Sequence, residues 1–430
     1  MLALLRRSAK GLTETAVPEL KRRIALSASV LANENLSSNT NNTDVSTKKV
    51  LQTSRRHPRG LSTHNHPVVV PAAATGTVTS KEESREFMAV FPDVVRDLTE
   101  AGRHQDVPDA TKWFSKVLQY NVPGGKKNRG LALVFAYKML VKPEDLTPEN
   151  IRLAQILGWC IEMFQAFFLI MDDVMDGSET RRGRPCWYRK NNLGVAAIND
   201  GILLESGIYQ LLRTHFRDKP YYVDIMELFH DVALKTSMGQ SLDLLSCQFG
   251  RKPDLEKFTM NRYNTIVKYK TAYYSFQLPV ALAMHMAGIQ DTEMHRQAKT
   301  ILLEMGQFFQ VQDDYLDCFG DPEVTGKVGT DIEDGKCTWL SVVALQRCTP
   351  DQRKTMETCY GSKNPTDVAQ VKQLYEDLGL PHTYATYEES SYKIISTHIQ
   401  QVSRGLPHNL FFKFMEKIYR PSNKELKIKV

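Results

Sequence analysis

The amino-acid sequence predicts an all-α protein, with one large helical domain over residues 81–430 behind an N-terminal segment of different character. Three observations carry this reading. From about Lys81 onward, apolar residues recur at helical spacing. Two long runs, Ile156 to Met171 and Ile301 to Val311, are apolar on nearly all sides, which marks helices buried inside a bundle. No stretch alternates polar and apolar residues between tight turns, as hairpin strands do.

Residues 1–80 hold eleven of the 55 Lys and Arg residues and four of the 49 Asp and Glu residues, a balance of +7. The rest of the chain therefore carries 44 basic and 45 acidic residues and is nearly neutral. That balance gives no support to a nucleic-acid partner. The first thirty residues alternate apolar and basic positions, and NENLSSNTNNTDVSTKK follows with too few apolar residues to fold. An Arg-rich, Ser-rich, acid-poor start is the pattern of an organelle transit peptide, here mitochondrial. The alternative is a cytoplasmic protein with a disordered tail. Arg6 and Arg7 cut the leading apolar stretch too short for a secretory signal.

Within the main domain, Phe87, Val90, Val94 and Leu98 mark a first helix, and Leu131, Val134, Phe135, Tyr137 and Met139 a later one. No uninterrupted apolar run reaches the roughly 18 residues of a membrane span, so no transmembrane segment is expected. The seven cysteines are odd in number and none pair as Cys-x-x-Cys, so neither a disulfide framework nor a zinc site follows.

Both buried helices end alike. QAFFLIMDDVMD supplies Asp172, Asp173 and Asp176; GQFFQVQDDYLD supplies Asp313, Asp314 and Asp317. Residues i, i+3 and i+4 share a helix face, so the carboxylates repel, and Asp is a poor helix former. Such a helix end is unfavourable unless a cation neutralises it, and carboxylates completed by water and phosphate are what Mg²⁺ prefers. An EF-hand is excluded, because Val174 and Gly183 fall where its third and twelfth positions need oxygen ligands.

Basic groups lie near both clusters. GSETRRGRPCWY brings Arg181, Arg182 and Arg184 directly after the first, and GDPEVTGKVGTDIEDGKCTW brings Lys327 and Lys336 after the second. Upstream, NVPGGKKNRGL places Lys126, Lys127 and Arg129 on a Gly-Gly loop that enters a helix, a natural anion site though not a Walker loop. Together these residues imply two anion sites, one held through metals and one held directly by basic side chains.

These segments, with GQSLDLL, IVKYKTAYYSF and KIYR, occur in order over residues 81–420 and resemble the farnesyl diphosphate synthases of animals. The resemblance implies an antiparallel helix bundle around a deep central cavity, the isoprenoid synthase type of fold. It also implies a homodimer and three Mg²⁺ ions per site, with Mn²⁺ as a substitute. Asp172, Asp176 and Asp313 match the family's metal ligands, and Asp173, Asp314, Asp317 and Asp243 are grouped with them as candidates. Arg181, Lys270 and Lys327 match residues that hold the allylic diphosphate, and Lys336 joins them. Lys126, Arg129, Gln165 and Arg182 match those that hold isopentenyl diphosphate. Thr271 and Gln310 match groups lining the reaction centre, with Gln240 and Asp243 as a polar pair facing the diphosphate. Two departures stand out: Lys127 replaces a frequent Tyr, and the end, KIYRPSNKELKIKV, is longer and less basic than usual.

The implied activity joins isopentenyl diphosphate to dimethylallyl and geranyl diphosphates to give farnesyl diphosphate. Phe168 lies four residues before Asp172 and Phe167 five, so their rings stand about 6–7.5 Å deeper along the helix and should floor the pocket. The alternatives are a geranyl diphosphate synthase, or a terpene cyclase on the same fold. A cyclase has no use for the second anion site. A catalytically silent metal-binding protein would leave the basic groups unexplained.

Overall fold

A computed structural model describes residues 81–103, 106–247, 252–321, 328–403 and 405–419. The N-terminal segment, Lys327 and the chain after Tyr419 lie outside the described residues. Fourteen α-helices follow one another there. They are α1 (Lys81–Arg103), α2 (Pro108–Asn121), α3 (Asn128–Leu140), α4 (Pro148–Asp176), α5 (Ala197–Phe216), α6 (Tyr222–Ser246) and α7 (Met260–Ile266). A π-helical segment, Val267–Gln277, continues α7 into α8 (Leu278–Met286). Then come α9 (Thr292–Phe319), α10 (Trp339–Arg347), α11 (Pro350–Cys359), α12 (Pro365–Asp377), α13 (Leu380–Gln400) and α14 (His408–Tyr419). The expected absence of strands has one small exception, a hairpin pairing Thr180–Arg181 with Arg184–Pro185.

Helix α4 shows why the sequence folds this way. Thr147 accepts the backbone N–H of Asn150, and Pro148 occupies the first turn, where a missing N–H costs nothing. Gly177 ends the helix with φ 67°, a conformation glycine adopts without penalty. Between these ends lie 29 residues whose middle, from Leu153 to Ala166, is wholly buried. The helix is long and apolar enough to cross a membrane, but 83% of its most apolar window is covered by protein, as suits a central core helix.

Glycines at helix crossings give the helix directions. Gly201 of α5 sits against Met171 and Phe167 of α4, and Gly207 sits against Met163, so the two helices run antiparallel. Gly239 of α6 abuts the backbone at Lys270, whereas Asp224 lies beside His285, so α6 and the π/α8 helix are antiparallel too. Thr271 meets Gln310 and His285 meets His295, which sets α9 antiparallel in turn. The consequence is functional. The C-terminal ends of α4, α6 and α9 and the start of the π segment all lie at one end of the bundle. Apolar side chains pack in two clusters, one around α4, α5, α6 and α8 and one around α7 and α10–α13.

Candidate active site

Six of the predicted acidic residues sit in the last turns of α4 and α9. A helix C-terminus carries partial negative charge, so a carboxylate there is disfavoured by roughly 0.3–1 kcal/mol. The structure answers that cost with cations. Asp172 accepts hydrogen bonds from Gln240 Nε2 at 3.1 Å and Lys270 Nζ at 3.3 Å, and lies 3.4 Å from Arg181. Asp176 accepts from Lys336 Nζ at 2.9 Å. Asp243, one turn beyond Gln240 on α6, is shared by Lys270 at 2.6 Å and Lys336 at 3.4 Å.

Burial alone would raise the Asp243 carboxyl, but Lys270 and Lys336 overcome it and hold it at about 2. The same contest lowers Asp172, where Lys270, Lys336 and Arg181 outweigh burial. At Asp176 burial prevails over Lys336 and the carboxyl is raised. Both lysines are pushed above their ordinary range, because their carboxylate neighbours outweigh desolvation.

The middle aspartate of each cluster is the most buried of the three and is held by protein groups. Asp173 is 3% exposed and takes two hydrogen bonds from Arg181, at 3.0 and 2.5 Å. Asp314 is 5% exposed and accepts from Gln310 Nε2 and from the backbone N–H of Trp339, both at 2.9 Å. Burial raises its carboxyl to about 7. Asp172 and Asp176 are i and i+4 on one face, and Asp173 lies about 100° around the helix from Asp172, as Asp314 does from Asp313. Asp173 thereby positions Arg181, and Asp314 anchors the first turn of α10. Asp317 accepts the backbone N–H of Asp331 at 3.1 Å, and Asp313 is half-buried in the same last turns of α9.

Lys270 and Thr271 join the clusters. Lys270 reaches the first, while Thr271 Oγ1 donates to Gln310 Oε1 at 3.1 Å, and Gln310 in turn holds Asp314 of the second. The π-helical segment that carries Lys270 and Thr271 at the acidic side continues through Tyr274 and Ser275. Ser275 and Tyr274 receive Arg129, through Nε at 3.1 Å and Nη2 at 2.8 Å to Ser275 and Nη2 at 3.1 Å to the Tyr274 hydroxyl. One element thus touches both predicted anion sites.

At the second site, Gly124 and Gly125 lie flat against the Arg182 guanidinium, where any Cβ would come within 2.9 Å. A side chain at either position would push the Arg182 guanidinium aside, and Gly125 also holds φ 80°, a conformation that favours glycine. Burial, with Arg181 and Arg129 near, lowers the Arg182 pKa, although Glu162 opposes the shift. Lys126 is exposed at the rim, and Gln165 is buried with its Oε1 unpartnered. Sequence reasoning missed two members here. Glu162, 4% exposed, accepts the Gly130 N–H at 2.8 Å at the start of α3, and Lys417 of α14 lies near both Glu162 and Lys126. A lone charged residue inside the apolar α4 run was the available signal for Glu162.

Phe167 and Phe168 are half-buried below Asp172, their ring centroids 4.7 Å apart, with Phe164 and Tyr274 against Phe168. Burial pushes the Cys186 and Cys247 thiols up to about 12, which unfits them as nucleophiles. Among the described residues, no three acidic, His or Cys side chains form a ready-made metal cage. Mg²⁺ is commonly held by one or two carboxylates together with phosphate oxygens, and the oxygen donors Asp172, Asp176 and Asp313 fit that mode in kind.

The chain is similar to known proteins along most of its length. Residues 111–378 match the polyprenyl synthetase family. The farnesyl pyrophosphate synthase of Nezara viridula is 54% identical over 361 residues, 84% of this chain and 86% of that one. The enzyme of that name from Homo sapiens is 50% identical over 340 residues, covering 79% and 81%. Among solved structures, T. brucei farnesyl diphosphate synthase complexed with the bisphosphonate BPH-722 superposes with a TM-score of 0.73 at 34% identity, covering 78% of this chain and 99% of that one. Sequence, fold and the pairing of acidic helix ends with basic loops converge, and the chain belongs to the polyprenyl synthetase family of prenyltransferases.

Proposed function

We propose that the chain condenses isopentenyl diphosphate with dimethylallyl diphosphate and then with geranyl diphosphate, releasing farnesyl diphosphate. The observation that carries this is the pair of anion sites bridged by one π-helix. Lys270 serves the acidic side, and Ser275 and Tyr274 receive Arg129 on the basic side. A cyclase that ionises a single diphosphate has no work for the second site. Relatives at 50–54% identity are themselves named farnesyl pyrophosphate synthases.

Asp172, Asp176 and Asp313 would hold Mg²⁺, which when bound offsets charge on the departing diphosphate. Arg181, Lys270 and Lys336 supply fixed positive charge on the same side, set in place before reaction by Asp173, Asp172, Asp176 and Asp243. Lys126, Arg129 and Arg182 orient isopentenyl diphosphate so that its double bond faces the allylic carbon. Thr271 and Gln310 line the reaction centre between them. The aromatic rings of Phe164, Phe167, Phe168 and Tyr274 keep water from the allylic cation. Val223, Leu234, Met238 and Leu245 form an exposed apolar stripe on α6, which supports a homodimer; a monomeric sedimentation profile would contradict that.

The test is turnover in Mg²⁺ and after exhaustive chelation, for the wild type and for Asp172→Ala and Asp313→Ala. Chelation should abolish activity. Each substitution should slow the reaction by about a hundredfold or more, at about 1.4 kcal/mol of barrier per tenfold. Undiminished turnover in chelator would defeat the metal assignment.

A further inference from the structure

We propose that Asp200 is a positioning residue for the isopentenyl side of the site: its carboxylate, shared by the indole N–H groups of Trp113 and Trp187, fixes the arginine hairpin against the Gly-Gly loop. This rests on the reading of Arg182, Lys126 and Arg129 as isopentenyl diphosphate ligands.

The hairpin cannot hold itself. Its ladder is two residues per strand, and isolated hairpins are marginal even when longer. Its turn places Arg182 at φ 55° and Gly183 at φ 70°, and for a non-glycine residue that conformation is uncommon and costs energy. Something outside must keep Arg182 where it is. The flanks are tied by Tyr120, which donates to Pro185 O at 2.8 Å, and by Tyr188, which donates to Ser178 O at 2.8 Å. Trp187, two residues past the hairpin, is 4% exposed and packs on Trp113 and Tyr120 with centroids 5.8 and 5.0 Å away.

Asp200 sits beneath this aromatic cluster in the first turn of α5, 3% exposed. A carboxylate is favoured near a helix N-terminus. Oδ1 accepts from Trp113 Nε1 at 2.7 Å, and Oδ2 accepts from Trp187 Nε1 at 2.8 Å. Trp113 belongs to α2, whose end leads into the loop of Gly124, Gly125 and Lys126. Trp187 belongs to the hairpin side. Because the two glycines lie against the Arg182 guanidinium, the gap between these walls sets where Arg182 points. One buried carboxylate therefore spans both walls of the isopentenyl site without touching substrate. Arg181 is pinned independently by Asp172 and Asp173, so the allylic side does not depend on this clamp.

The chemistry dictates the test. Two indole donors need two acceptors, and Asn offers one acceptor and one donor. In Asp200→Asn one indole N–H faces another donor, and the clamp opens. The expected result is a rise of about tenfold in KM for isopentenyl diphosphate, with KM for geranyl diphosphate changing by less than about threefold. Adding Trp113→Phe to Asp200→Asn frees the remaining carbonyl for Trp187, so this double variant should bind isopentenyl diphosphate no worse than Trp113→Phe alone. Trp187→Phe with Asp200→Asn should likewise bind isopentenyl diphosphate no worse than Trp187→Phe alone, because the remaining carbonyl then serves Trp113. If Asp200→Asn does not fold, Trp187→Phe alone carries the test, and it should raise the isopentenyl KM selectively. Unchanged isopentenyl KM in the folded variant, an equal rise in both KM values, or a further rise when Asp200→Asn is added to Trp113→Phe or to Trp187→Phe would overturn the proposal. A wild type without saturable dependence on isopentenyl diphosphate would instead overturn the functional reading beneath it.

Discussion

Asp243 concentrates the electrostatics of the site in one residue: a buried carboxylate held by two lysines, at about 2 against an ordinary value of 3.8. Its folded pKa lies below its unfolded one. The stability it contributes is therefore present above about pH 4 and is lost as pH falls through 2. The difference of nearly two units corresponds to about 2 kcal/mol. Asp243→Asn, unfolded by urea in metal-free buffer, should be less stable than wild type by about that amount at pH 7, with the gap closing toward pH 2. A gap unchanged across that range would remove the ion pairs from the account. Asp243 and Gln240 were reachable from the sequence only through the family resemblance, since nothing local marks them. The separate roles of Asp173 and Asp314 were out of reach altogether. Helical spacing says which residues share a face, but the partner of Asp314 is a backbone N–H 25 residues away that only the folded chain brings near.

At the scale of the element, α4 was the most legible part of the chain. Its apolar run and its acidic end follow from spacing, and its burial matches the all-apolar pattern. The π segment was not legible, because no composition rule separates it from an α-helix. Its consequence is large, since it carries Lys270 to the first acidic cluster and Tyr274 and Ser275 to Arg129, and so joins the two anion sites. Helix α4 also makes a claim about product length. Phe167 packs beside Gly201 of α5, and Phe168 packs between Phe164 and Tyr274, one to two turns below Asp172. Replacing both by Ala removes the pair of rings that stand closest below Asp172 on α4, leaving Phe164 a further turn deeper. Chromatography of the products should then show chains of twenty carbons or more, with the single variants intermediate. An active double variant that still stops at fifteen would place the length limit on another wall.

Across the whole molecule, the antiparallel order of α4, α5, α6, π/α8 and α9 delivers acidic helix ends to one end of the bundle, and α2, α3 and the hairpin bring basic loops to face them. The all-helical class and the two clusters were read from periodicity and repetition. The relative placement of the loops was not, since Asp200, Glu162 and Lys417 act through contacts distant in sequence. The central claim is that both anion sites are used in one coupling reaction. The most direct measurement supplies geranyl diphosphate and radiolabelled isopentenyl diphosphate with Mg²⁺, and follows label into acid-labile allylic product. The account predicts one isopentenyl unit incorporated per geranyl unit consumed, giving a fifteen-carbon diphosphate, with no consumption of geranyl diphosphate when isopentenyl diphosphate is left out. Conversion of geranyl diphosphate alone to an unlabelled hydrocarbon would contradict it.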